Sequence, residues 1–127
     1  MRMRVPPCRT SIVGRLAPQP GERFLDLACG TGGIALIAAR TGADVTGLDI
    51  SADQLEKARA AAAEAGLEIR FDEADAQALP YEGASYDAVV SAFGMIFAPD
   101  HRRAADELTR VSKPGARHSR SSSPGCD

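Results

Sequence analysis

Three short runs, RFLDLAC (23–29), ADVTGLDI (43–50) and YDAVVSAF (86–93), are apolar at nearly every position and bounded by turn-forming residues. Such runs suit strands buried on both faces. Between them the spacing changes from continuous to helical. IALIAAR (34–40) predicts a helix closed by Gly42. Ser51, followed three residues later by Gln54, forms a capping box. The helix behind it presents Leu55, Ala58, Ala62 and Ala65 along one side and stops at Gly66. LEIRFDEAD (67–75) alternates apolar and polar residues, as a strand does. Asp100 can cap a helix whose buried stripe is Ala104, Ala105, Leu108 and Val111, ended by Pro114-Gly115. Ile12, Val13 and Leu16 share one face of a short helix ahead of PQPG at 18–21. Strand and helix alternate throughout, which calls for parallel strands joined by helical crossovers. The class is α/β, with four strands.

The two ends lack this patterning. Residues 1–20 form a partly unpatterned N-terminal segment, 21–115 the organised core, and 116–127 (ARHSRSSSPGCD) a tail expected to be disordered. At 127 residues, 44% apolar and 25% charged, the chain can build one domain with a modest core. A net charge of −2 offers no electrostatic reason to expect nucleic acid or an anionic membrane as partner. No run is long enough to span a bilayer, and MRMRVPPCRT lacks the apolar core of a secretory signal. Cys8, Cys29 and Cys126 lie far apart and show no metal-ligand spacing. The expectation is a cytoplasmic protein with no metal site and no disulfide framework.

Chemistry concentrates in LDLACGTGG (25–33), where a strand carrying one carboxylate ends in glycines. Glycines there let a backbone approach a ligand beyond the carboxyl end of the strand. Gly30-x-Gly32-x-x-Ala35 satisfies the relaxed dinucleotide fingerprint, although a simple turn would also use glycine. Asp49 closes the second strand 19 positions after Gly30, near the spacing of an acid that binds ribose hydroxyls. Together they indicate an adenosine-type cofactor. Asp26 discriminates among such cofactors: a carboxylate beneath the glycines would repel a diphosphate, but it favours the sulfonium and ammonium groups of S-adenosyl-L-methionine.

FLDLACGTGG, VTGLDIS, DEADAQALPYEGASYDAVVSAFGMIFAPD and ELTRVSKPG resemble, in order, successive motifs of class I S-adenosylmethionine-dependent methyltransferases. Within that family the chain is most similar to the small-molecule branch containing the ubiquinone and menaquinone biosynthesis enzymes. The resemblance covers residues 23–115. It implies a Rossmann-like parallel sheet with helices on both faces, here incomplete, with about four strands of the family's usual seven. It also implies a small-molecule methyl acceptor. By the same resemblance Asp26, Ala28, Gly30, Thr31 and Gly32 line the methionine end of the cofactor, Asp49 holds the ribose, and Ile50 packs on adenine. Asp75 accepts from the adenine amine, and the Ala76 N–H reaches a ring nitrogen. Ser91, Ala92 and Phe93 border the sulfonium and the acceptor.

No catalytic base is identified. His101, in the first turn of a helix, is expected to be exposed, and Cys29 reads as a small buried residue. The fourth strand is expected at a bare sheet edge, because the sequence after SKPG is polar where the family continues with a fifth strand. The unpatterned ends are accordingly expected to be frame-shifted or truncated translation of a longer gene. Three readings stay open: a methyltransferase, in full or as an inactive truncated copy; a non-catalytic S-adenosylmethionine-binding fragment; and a nicotinamide-dependent oxidoreductase half-domain.

Overall fold

The computed structural model describes residues 13–14, 16–27, 32–75, 77–92 and 101–121. In chain order the elements are β1 (Arg23–Leu27), α1 (Gly33–Ala39), β2 (Asp44–Asp49), α2 (Ala52–Glu64), β3 (Arg70–Glu73), β4 (Tyr86–Ala92), α3 (His101–Val111) and β5 (Ser112–Ser121). The strands form one parallel sheet in the order β3-β2-β1-β4-β5. Chain order reverses between β1 and β4, and such a reversal opens a crevice beyond the strand ends.

Each central strand divides its apolar residues between two layers, because successive side chains point to opposite faces. Phe24, Val45, Ala88 and Val90 pack with Ile34, Ala35 and Ala38 of α1 and with Leu55, Ala58 and Ala62 of α2. On the other face, Leu25, Leu27, Leu48 and Val89 pack with Leu79, Tyr81, Tyr86 and Val111. Helices therefore cover both faces. Val13 and Leu16, in a helical turn, join the first layer. Ala65 departs from the expected stripe: as the C-cap of α2 it lies past the last buried turn and is exposed.

The sheet has five strands, not four. The polar stretch expected to begin a disordered tail at residue 116 instead pairs with β4 from Ala88↔Arg117 to Ala92↔Ser121. β4 is therefore not a bare edge. The helix that precedes β5 ends at Val111 rather than at Pro114-Gly115. That dipeptide sits in a register shift, where Tyr86↔Ser112 is followed by Ala88↔Arg117, and Gly115 adopts φ 80°. Backbone hydrogen bonds to an otherwise unpaired strand do not require apolar side chains. Polar contacts reinforce them: Arg117 pairs with Glu22, and Lys113 Nζ donates to Asp87 at 3.2 Å.

Candidate functional site

Of the residues singled out from sequence, Asp26, Gly32, Asp49, Ile50, Asp75 and Ser91 are described, and they lie at or just beyond the carboxyl ends of β1, β2, β3 and β4. Asp26 lies mid-sheet, opposite Gly47 of β2 and Val90 of β4, and is only 1% exposed. It shares the face of Phe24 by strand alternation. A carboxylate this deep is costly to bury without compensating charge or donors. Residues 28–31, which follow β1, lie outside the described residues, so Ala28, Gly30 and Thr31 are not placed.

Gly32 is the N-cap of α1, at φ 89°. A Cβ at this position would come within 3.2 Å of the Ala58 Cβ on α2. Positive φ and close helix approach both require glycine here. The neighbouring strand ends in a second acid. Asp49 Oδ1 accepts from the Ser51 N–H at 2.9 Å, and the Asp49 carbonyl accepts from Ala74 N at 3.1 Å, which ties β2 to the loop after β3. Ile50, beside it, is 70% exposed, an apolar surface next to an anchored carboxylate.

The Ser51–Gln54 capping box forms by half. Ser51 Oγ accepts from the Gln54 N–H at 3.4 Å, but the Ser51 N–H goes to Asp49. Gln54 Oε1 is buried with no hydrogen-bond partner among the described residues. Asp75 opens a turn: its Oδ1 accepts from Gln77 N at 2.8 Å, its carbonyl from Ala78 N, and both carboxylate oxygens meet Gln77 Nε2 at 3.2 Å. Ser91 is placed by its backbone near the end of β4, one residue beyond the partner of Asp26. Ala76 and Phe93 lie outside the described residues, as do Cys29 and the side chain of His101.

The opposite end of the sheet is occupied by packing. The Arg23 guanidinium lies 4.7 Å over the Tyr86 ring, Tyr86 meets Tyr81 edge to face at 5.4 Å, and Arg70 lies 5.6 Å over Tyr81. Tyr81 donates to Asp72 at 2.8 Å, and burial followed by this bond pushes its phenol well above the usual range. Nothing in the sequence pattern marked these residues, because they meet only across the folded sheet.

A parallel sheet with a chain reversal beside β1 and helices on both faces defines a Rossmann-like α/β domain. The chain belongs to the family described as "Methyltransferase domain", which matches residues 24–115. It is 51% identical over 96 residues to an uncharacterized protein of Mycobacterium tuberculosis, covering 76% of this chain and 35% of that protein. It is 47% identical over 98 residues to a demethylmenaquinone methyltransferase of Thermus thermophilus, covering 76% and 44%. The chain thus spans less than half the length of these relatives. Among solved structures, the YcgJ protein of Bacillus subtilis superposes with TM-score 0.84 at 27% identity, over 87% of this chain and 48% of that one. The [4+2]-cyclase SpnF superposes with TM-score 0.80 at 34% identity, over 84% and 40%. Family membership sets the nicotinamide alternative aside.

Proposed function

We propose that this chain binds S-adenosyl-L-methionine and serves methyl transfer to a small-molecule acceptor. The observation that carries the reading is the buried Asp26 carboxylate near the carboxyl end of β1, with Asp49 at the end of the neighbouring strand. A carboxylate at that position suits a cationic, phosphate-free nucleoside. The cofactor would supply a sulfonium-bound methyl group, which passes to an acceptor nucleophile by in-line displacement and leaves a neutral thioether that needs no acid.

The residues then have these roles. Asp49 receives the ribose hydroxyls, its orientation fixed by the Ser51 N–H. Ile50 offers its exposed side chain to the adenine face. Asp75 accepts from the adenine amine, held in place by Gln77, and the Ala76 N–H meets a ring nitrogen. Asp26, Ala28, Gly30, Thr31 and Gly32 surround the methionine end, while Ser91 and Phe93 border the sulfonium and acceptor. The protein's contribution is mainly positioning, which can supply roughly 7–11 kcal/mol. A base is required only where the acceptor must lose a proton.

The name of the Thermus thermophilus relative supports a small-molecule acceptor. Among the described residues no helix is long and apolar enough to cross a membrane, which fits the proposed cytoplasmic setting. A second reading, cofactor binding without methyl transfer, is favoured by the cyclase among the structural neighbours. Calorimetric titration with S-adenosylmethionine, S-adenosylhomocysteine and NAD tests the cofactor. Binding of the first two and not of NAD is expected; NAD binding alone would overturn the reading.

A further inference from the structure

We propose that Glu107 and Arg110 of α3 are positioning residues for cofactor binding: they grip the segment 77–81 and thereby fix the Asp75 carboxylate. This rests on the cofactor reading above, in which Asp75 accepts from the adenine amine, and adds two residues that touch no ligand. Residues 77–81 lie outside every helix and strand, so no ladder satisfies their backbone. Leu79 and Tyr81 nevertheless bury their side chains in the layer that holds Leu108 and Val111 of α3. The polar side of α3 supplies what a neighbouring strand would. Glu107 Oε1 accepts from the Leu79 N–H at 2.8 Å. Arg110 donates from Nη2 to the Leu79 carbonyl at 3.0 Å and from Nη1 to the Tyr81 carbonyl at 2.7 Å. Its Nε meets Glu107 Oε2 at 2.6 Å, so the two side chains brace each other while both hold the segment.

The grip reaches Asp75 through Gln77. Arg103, Glu107 and Arg110 form one stripe along α3, and Arg103 Nε donates to the Gln77 carbonyl at 3.1 Å. Gln77 in turn sets the carboxylate: its N–H donates to Asp75 Oδ1 at 2.8 Å, and its Nε2 meets both oxygens at 3.2 Å. The Ala78 N–H closes the turn on the Asp75 carbonyl at 3.0 Å. Pro80, with its fixed φ, stiffens the chain between Leu79 and Tyr81. A shift of the segment therefore turns the acceptor itself. An ionised carboxylate has about four acceptor directions, so Asp75 keeps lone pairs for a ligand donor after Gln77 has bound it. A turn that served the chain alone would need only the Gln77 and Ala78 bonds.

The test is calorimetric titration of S-adenosylhomocysteine and its 6-desamino analogue into the full chain, Glu107→Ala and Arg110→Met. The desamino ligand lacks the one group that Asp75 would bind. The full chain should prefer S-adenosylhomocysteine by roughly tenfold, and each variant should cut that preference to about twofold. In the unaltered chain, binding should slow hydrogen exchange of the Leu79 amide roughly fivefold more than that of the β1 amides, because coupling between two sites is reciprocal. That measurement needs no variant to fold. A full chain indifferent to the amine, a preference unchanged in either variant (affinity lost equally for both ligands, as a merely structural role would give), or Leu79 exchange that follows β1 would each overturn the proposal while leaving cofactor binding standing. Failure of the unaltered chain to bind S-adenosylhomocysteine would remove the cofactor reading as well.

Discussion

Arg117 of β5 donates from Nε to the Leu16 carbonyl oxygen at 2.7 Å, joining positions 101 residues apart. Its second arm pairs with Glu22, ahead of β1. One side chain thus clamps the last strand to the helical turn and loop that precede the first. Arg117→Ala should lower hydrogen-exchange protection of the β5 amides roughly tenfold relative to those of β1. Unchanged β5 protection would show that the backbone ladder holds this strand alone.

Asp49 and Gln54 compete for one N–H, and removing Asp49 should settle the competition. In Asp49→Ala the Ser51 N–H becomes available to Gln54 Oε1, completing the capping box. We expect affinity for S-adenosylhomocysteine to fall by roughly tenfold to hundredfold, with the melting temperature changed by no more than about 3 °C. A large loss of stability would mean that Gln54 does not substitute.

Two tyrosines in edge-to-face contact should respond oppositely to loss of their hydroxyls. Tyr86 is fully buried, and its hydroxyl has no partner among the described residues. Tyr86→Phe keeps the ring beneath Arg23 and should be neutral or stabilising, by up to about 1 kcal/mol in urea unfolding. Tyr81→Phe loses the bond to Asp72 and should cost about 1 kcal/mol. The reverse order would contradict the assignment of partners.

Gly32→Ala should destabilise the chain by about 1–3 kcal/mol, because alanine is strained at φ 89° and its Cβ would press on Ala58. The same substitution should weaken S-adenosylhomocysteine binding by displacing the N-terminus of α1 from α2. Urea unfolding and calorimetry on one preparation measure both effects. An unchanged unfolding midpoint is the result that contradicts the geometry.

Three carboxylates hold their protons less tightly than usual. Glu22 is lowered by Arg117 and then by the Gln19 N–H, Asp87 by the Arg23 N–H and then by Lys113, and Glu107 by Arg110 and then by the Leu79 N–H. A lowered folded-state pKa stabilises the fold above the unfolded pKa, and that contribution is lost as pH falls through the folded value. Stability should therefore hold from about pH 7 to pH 5 and decline below about pH 4. Glu107→Gln should flatten that decline. A urea midpoint that rises on acidification would reverse the sign assigned here.

The order of the first four strands and their helices, and the two acids at adjacent strand ends, were legible in the linear chain. Each is a local pattern: a continuous apolar run for a doubly covered strand, Ser51 for a helix start, glycine for positive φ. The Ser51–Gln54 spacing was also visible, yet it pointed to a complete box, because the competing carboxylate acts through folded geometry.

Sequence alone therefore determined the fold class and the positions of Asp26 and Asp49, since hydrophobic period and turn chemistry are written in neighbouring residues. Tertiary structure alone decided that a polar segment becomes β5, that Tyr81 and Tyr86 stack between two arginines, and that Gln54 loses its cap partner. Those outcomes depend on partners brought together from distant parts of the chain, and no local pattern records which groups will meet.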